Sequence, residues 1–360
     1  MKKILHIYKT FHTKSSGGIE RVIYNICNAV STFENAVFVA GKSLVKDVKV
    51  QTTFSFFTLF SMPIAPFFIP KIWLNYRKTD ILTCHYPMPL SDVAVALYFP
   101  KNKKLIYWWH AEINKQKFLK YFFMPFTYLA LKKASKICIL DISLLEHSKI
   151  LTKFKHKVLV IPYGLEDMNL DENMSNKSDV VVVKEPFILS IGRLVPYKGF
   201  ENLIYAMKDI NFNLVIIGKG PDYNKLTTLI NRLHLNSKIT ILTNIDDFAL
   251  QKYISACSFF VLPSKNEAEA FGIVQVEAMR SSKAIINCRL KSAVPSCARH
   301  MIEAITVEPD NIEELAAAIL ELLKNETLRN KLGKNGRNRF EEKYHYRHFA
   351  MLVNKLYNEI

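Results

Sequence analysis

Acids are scarce in this chain. Asp and Glu together number 32 against 49 Lys and Arg in 360 residues, a formal net charge of +17. That balance points to an anionic partner: nucleic acid, an acidic membrane surface or phosphorylated substrates. Zinc-type cysteine spacing is also absent. Cys27, Cys84, Cys138, Cys257, Cys288 and Cys297 are scattered through apolar runs, which reads as reduced core thiols of a cytosolic protein. No Asp-x-Asp pair stands at a strand end, so a carboxylate-held divalent ion is not indicated. No Ser/His/Asp or Cys/His spacing suggests a nucleophilic triad. The apolar part of Met1–Tyr8 is too short for a signal peptide. Charge is missing altogether from Val50 to Pro70, a stretch long enough to span a bilayer. Pro63, Pro66 and Pro70 argue against a spanning helix there. A loop and helix lying on a membrane, or lining a lipid-facing groove, is expected instead.

What is present is alternation. Strand-like runs at Lys3–Tyr8, Ala36–Ala40, Ile81–Tyr86, Leu105–Trp109, Lys136–Leu140 and Val158–Pro162 are separated by helix-like runs. A second series follows at Phe187–Ile191, Leu214–Ile217, Ile239–Leu242, Phe259–Leu262 and Ala284–Asn287. Such alternation predicts parallel sheets with helices on both sides. The polar, acidic stretch at 169–184 reads as a linker between domains over 1–168 and 185–343. The last helix, about 344–360, is expected to pack back on the first domain. The fold class is therefore α/β, two doubly wound Rossmann-like domains facing a central cleft. Ligands of such sheets bind beyond the C-terminal ends of the strands.

The candidate residues lie at those ends. Glu269 is read at the N-terminus of a helical run, Ile273–Arg280, and Glu277 lies eight residues on, roughly 12 Å along the axis. Backbone N–H groups between them offer a seat for phosphate. Arg193 leaves the first strand of the second series, with Lys198 across a turn, and two cations there can neutralise a diphosphate. Gly17 and Gly18 precede the first helix, and glycine allows close approach to a phosphate. His110 ends the strand Leu105–Trp109. Each has a plainer alternative: solvated surface charges, an ordinary turn, a structural histidine beside tryptophans. Asp246 and Asp247 are read as capping the helix at Phe248. The stretch Lys117–Lys133 mixes aromatics and lysines without an acid. It is either a core helix with solvated ends or a helix seated among lipid headgroups.

The string Glu269–Met279, Glu-x-Phe-Gly-Ile-Val-x-x-Glu-Ala-Met, resembles the donor-site motif of glycosyltransferase family 4, the retaining GT-B enzymes. Gly192-Arg193 with Lys198-Gly199, the Gly218–Pro221 loop, Gly17–Arg21 and Trp109–Glu112 resemble further motifs of that family. The resemblance departs after Met279, where Arg280-Ser281-Ser282 stands in place of the family's glycine. It implies a GT-B fold and retaining, metal-independent hexosyl transfer from a nucleotide sugar, with no protein-bound cofactor. Glu277 is implied at the ribose hydroxyls, Glu269 at the hexose hydroxyls, and Arg193 and Lys198 at the diphosphate. Gly218, Phe271, Gly272 and Ile273 complete the donor seat, and His110 and the Gly18 backbone approach the sugar and its phosphate. The implied chemistry is front-side attack assisted by the leaving phosphate, so no protein base is named. His85 resembles a loop residue of surface-polysaccharide members and is assigned to the acceptor side.

The flavour of the first domain resembles O-antigen and capsule hexosyl- or mannosyltransferases. The expected partners are a GDP- or UDP-hexose, a lipid-linked or lipopolysaccharide saccharide acceptor and an anionic membrane surface. The expected place is the cytoplasmic face of a bacterial inner membrane, as a peripheral protein. Paired carboxylates would repel nucleic-acid phosphate, so no nucleic acid is expected. A GT-B sugar-nucleotide epimerase and a non-enzymatic basic binding module are the open alternatives.

Overall fold

Strands with no polar face must be buried on both sides, and this chain builds two parallel sheets from such strands. A computed structural model describes residues 1–11, 18–40, 48–56, 58–59, 62–63, 65–113, 117–167 and 186–360. Gly17 and the linker expected at 169–184 lie outside the described residues. The chain divides into two compact units, Met1–Gly164 with Tyr346–Ile360, and Leu165–His345.

The strands of the first unit are β1 (Lys3–Tyr8), β2 (Glu34–Ala40), β3 (Lys49–Thr53), β4 (Thr58–Leu59), β5 (Met62–Pro63), β6 (Ile81–Tyr86), β7 (Lys104–Trp109), β8 (Lys136–Ile139) and β9 (Val158–Val160). Its helices are α1 (Gly18–Ala29), α2 (Phe68–Tyr76), α3 (Pro89–Leu97), α4 (Lys117–Lys133) and α5 (Ser143–His147). Seven strands form one sheet in the order β3-β2-β1-β6-β7-β8-β9, and β4 and β5 form a separate antiparallel pair. Every pairing in the large sheet is parallel. Order reverses between β1 and β6, which makes their C-terminal ends the switch point of this unit.

The second unit carries β10 (Phe187–Ile191), β11 (Asn213–Ile217), β12 (Ile239–Leu242), β13 (Phe260–Val261), β14 (Ile285–Cys288) and β15 (Ala304–Val307). Between them run α6 (Phe200–Ala206), α7 (Tyr223–Arg232), α8 (Asp247–Ala256), α9 (Ile273–Arg280) and α10 (Val294–Cys297). After them come α11 (Ile312–Lys324) and α12 (Glu326–Arg339), and α13 (Tyr346–Glu359) returns to the first unit. There the Tyr346 hydroxyl meets the Asn25 carbonyl at 3.3 Å and Tyr357 meets Thr83 at 2.9 Å. The second sheet has the order β12-β11-β10-β13-β14-β15, with its switch point between β10 and β13. The one hydroxyl inside β10 is satisfied locally: Ser190 donates to the Val261 carbonyl at 2.7 Å.

Several features differ from the sequence expectation. Strands β3 and β15 were not anticipated, and the helix expected in the uncharged segment is α2, which begins only at Phe68 and runs beyond it. β3, Lys-Val-Gln-Thr-Thr, is an edge strand of mixed polarity and lacks the apolar run that marks its neighbours. Pro70 does not break α2. It is the third helical residue, in the first turn, where backbone N–H groups have no intrahelical partner. Asp246 caps α8 as expected, accepting from Ala249 N at 2.7 Å. All six cysteines are buried and none is in a disulfide, and burial pushes the Cys27 thiol up to about 12.

Candidate active site

The loops after β10 and β13 flank the second unit's switch point, and two charged side chains meet there. After β10 the chain passes Gly192 and an exposed Arg193, then makes a short 3-10 turn, Pro196–Lys198. The Lys198 stem runs past Gly192, where a Cβ would come within 3.2 Å of its Cε. Its ammonium forms an ion pair with the Glu269 carboxylate, and only about a tenth of each side chain is exposed. The Ser264 hydroxyl donates to the same carboxylate oxygen at 3.0 Å. Lys265 N donates to the Tyr197 carbonyl at 2.8 Å, tying the two loops together. After β11, Gly218 lies against the β10 loop, and a Cβ there would stand 1.9 Å from the Gly192 carbonyl oxygen. Only glycine allows that approach.

Glu269 is not at the helix start. The helix begins at Ile273 behind Gly272, which holds φ +70°, a left-handed conformation that bulky residues resist. Half of the eight positions between the two acids are therefore loop, and the straight-helix rise of 12 Å does not apply. Glu277 is the fifth residue of α9 and is buried, as is Phe271, whose ring packs edge-on to Tyr344. Ile273 is half-buried. A buried amide pair anchors the start of α9. Asn287 on β14 donates to Gln275 Oε1 at 2.8 Å, and Gln275 donates to the Phe271 carbonyl at 3.1 Å.

Histidines gather at the first unit's switch point. His6 on β1, His85 on β6 and His110 just after β7 form a line. His6 Nδ1 lies 3.2 Å from His85 Nε2, and His85 Nδ1 lies 3.0 Å from His110 Nε2. All three are buried. Burial lowers His6 to about 4 and His110 to about 3, and drives His85 well below its ordinary value. The line is therefore neutral at pH 7. His85, expected on the acceptor side, has its imidazole enclosed with both nitrogens engaged. Gly18 is exposed at the first residue of α1.

Residues 172–339 match the family described as glycosyl transferases group 1. The second unit therefore carries a glycosyltransferase domain. The whole chain is 26% identical over 370 residues to the O-antigen chain mannosyltransferase C of Escherichia coli, covering 99% of this chain and 98% of that one. It is 23% identical to the D-rhamnosyltransferase WbpZ of Pseudomonas aeruginosa, over 94% and 91% of the two chains. Among solved structures, Anabaena HepE in complex with UDP and glucose superposes with a TM-score of 0.81 at 18% identity, over the whole of both chains. That likeness establishes the GT-B fold.

Sequence reasoning missed several parts of the glycosyltransferase. Ser264, Gln275 and Asn287 carry no motif signal, although a polar Gln275 inside the apolar run Ile273–Val276 hinted at a buried partner. Arg280, noted only as a departure, donates to the Glu166 carbonyl at 2.9 Å and also reaches Gln251. Two residues on, Ser282 takes φ +56°, the conformation that a glycine would adopt without strain. Among the described residues no group of three His, Cys, Asp or Glu is placed to hold a metal ion.

The aromatic-lysine helix α4 is not wholly core. Tyr121 is 74% exposed and Phe122 64%, with Tyr128 and Leu129 also exposed, while Thr127, Ala130 and Leu131 are buried. Two of its lysines are structural. Lys120 pairs with Glu112 at 2.8 Å, and Lys133 binds the Val95 and Ala96 carbonyls at the end of α3, both at 2.9 Å. No helix among the described residues is long and apolar enough to cross a membrane.

Proposed function

We propose that this glycosyltransferase moves a hexose, mannose in preference, from a nucleotide-sugar donor to a lipid-linked or lipopolysaccharide saccharide in bacterial surface polysaccharide synthesis. The observation that carries the reading is the Lys198–Glu269 pair at the switch point, with Arg193 leaving the same loop. A diphosphate arriving there would draw the Lys198 ammonium to itself, and the freed Glu269 carboxylate would accept from hexose hydroxyls. Each charge then exchanges one partner for another, so neither is left bare in a dry site. Arg193 adds a second cation, and Glu277 on α9 takes the ribose hydroxyls. Two cations stabilise the leaving diphosphate in the way a divalent ion does elsewhere, which favours a metal-independent reaction. Transfer is taken to proceed with retention, as the motif resemblance implies. Mannose is favoured by the likeness to the Escherichia coli O-antigen mannosyltransferase, and HepE, solved with UDP, keeps a uridine donor in play.

The exposed aromatics of α4, with exposed Phe54, Phe56 and Phe67 from the uncharged segment, support a peripheral seat on an anionic membrane. The test is a thermal-shift screen of GDP-mannose, UDP-glucose, UDP-galactose and UDP-N-acetylglucosamine, followed by transfer assays with EDTA. A donor that binds only the folded state raises the melting temperature by mass action. One donor should do so, and nucleoside diphosphate should be released only when a saccharide acceptor is added. Release without acceptor would favour the epimerase reading. Full loss of activity in EDTA with recovery on magnesium or manganese would refute the metal-independent mechanism.

A further inference from the structure

The loop that carries Glu269 is gripped from outside the site by a second charged pair. Lys265 follows Ser264, and its ammonium lies 2.8 Å from Asp310 Oδ1 in the turn after β15. The same oxygen accepts from Asn202 Nδ2 on α6 at 2.9 Å. Asn202 is buried, so its amide is a fixed donor. Asp310 holds φ +60°, a left-handed conformation that Asp and Asn adopt more readily than other residues with side chains. The hydrogen bond from Lys265 holds the Asp310 carboxyl below its ordinary value, so the pair is charged at neutral pH.

Lys265 is also held by its backbone. Its N–H donates to the Tyr197 carbonyl at 2.8 Å, in the turn that carries Lys198. Gly199 ends that turn, and a Cβ there would stand 1.9 Å from the Pro263 carbonyl oxygen and 3.3 Å from Lys265 Cγ. The Lys265 stem therefore bears on the Lys198 turn while its ammonium reaches Asp310. At the far end of the loop, Ala293 N donates to the Ala270 carbonyl at 2.8 Å. Between these ends the chain turns on Asn266, which takes Ala268 N on its side chain and Glu269 N on its carbonyl, both at 3.1 Å. Glu269 can shift relative to Lys198 only if one of the two ends gives.

We infer that Lys265 and Asp310, seated by Asn202, are positioning residues that hold the Ser264–Glu269 loop against the Lys198 turn and so set where the Glu269 carboxylate meets the transferred sugar. The grip is geometry within the second unit. That it acts on transfer rests on the functional reading given above. More than half of the Asp310 side chain is in water, and an exposed pair adds little stability. Its effect is on placement, where an error of about 1 Å at a reacting group costs up to about a hundredfold in rate.

Two variants of the intact chain release the grip. Lys265→Met keeps the stem and removes the ammonium. Asp310→Gly removes the carboxylate at a φ that glycine adopts freely. Both should melt within about 3 °C of wild type. Amide hydrogen exchange at positions 265–269 should rise about tenfold in each, with β10 and β13 unchanged. Turnover should fall about tenfold while the donor KM stays within about twofold, because the change acts through placement rather than ground-state binding. The double variant should be no slower than the slower single one, and costs that add would show that the two residues do not act through each other. Lys265→Arg, which keeps a cation within reach of Asp310, should retain at least about half of wild-type turnover; a loss as deep as that of Lys265→Met would overturn the inference. Unchanged exchange at positions 265–269 in both single variants would also overturn it. So would faster exchange with wild-type turnover, provided that Glu269→Gln itself transfers poorly. Faster exchange together with a Glu269→Gln variant that transfers as wild type would support the grip and refute only the role given to Glu269.

Discussion

Replacing Lys198 by Met tests whether the switch-point ion pair is a binding device that the fold must also tolerate. The stem past Gly192 is kept and the ammonium is removed. Glu269 is then left with the Ser264 hydroxyl at 3.0 Å and only a tenth of its side chain in water. Removing one member of a buried pair costs about 3–5 kcal/mol, because the remaining charge is desolvated and uncompensated. The residual exposure of both side chains argues for the low end, about 3 kcal/mol. For a unit of this size each kcal/mol moves the melting temperature by about 2–4 °C, so Lys198→Met should melt roughly 6–12 °C lower. The Lys198→Met/Glu269→Gln double variant carries neither charge. It should recover most of that loss while showing no melting shift with any donor. Melts of the wild type, both single variants and the double variant, with and without donor, form a closed cycle. If the two single costs simply add in the double variant, or if Lys198→Met melts within about 2 °C of wild type, the pair is not coupled as described.

Glu277→Ala should weaken donor binding, whereas Glu269→Ala should lower turnover more than affinity; equal, small effects would sink both assignments. Asp92 is fully buried beneath α4, accepts from Tyr107 and Thr127, and is raised by burial to about 7. Its folded value lies above its unfolded one, so its contribution is complete below about pH 4 and is lost as pH rises through 7. Urea midpoints should therefore show Asp92→Asn gaining on wild type between pH 5 and pH 8, and a constant difference would refute this. Ser282→Gly should be neutral to about 1 kcal/mol stabilising, as relief of the left-handed strain outweighs the added chain entropy. Tyr121→Ser with Phe122→Ser should reduce sedimentation with anionic vesicles at constant donor binding; undiminished sedimentation would remove α4 from the membrane contact.

The sequence by itself determined the architecture and the address of the site. Strands buried on both faces must be apolar throughout, and that composition is legible without coordinates in Phe187–Ile191 or Leu105–Trp109. Once the sheets are parallel, function collects at the strand ends, and Arg193, Lys198, Glu269 and His110 lie at or just beyond such ends. Edge strand β3 and the bounds of the proline-containing α2 were not legible, since neither carries a full apolar run and both depend on what they pack against. Tertiary structure alone decided which groups meet. The Lys198–Glu269 pair exists because a strand-order reversal brings the loops after β10 and β13 together. His6 and His85 stand 79 positions apart in the chain and touch only because β1 and β6 are neighbours. No local spacing records such a pairing, because sheet order is set by packing of whole helices and strands rather than by the residues that profit from it.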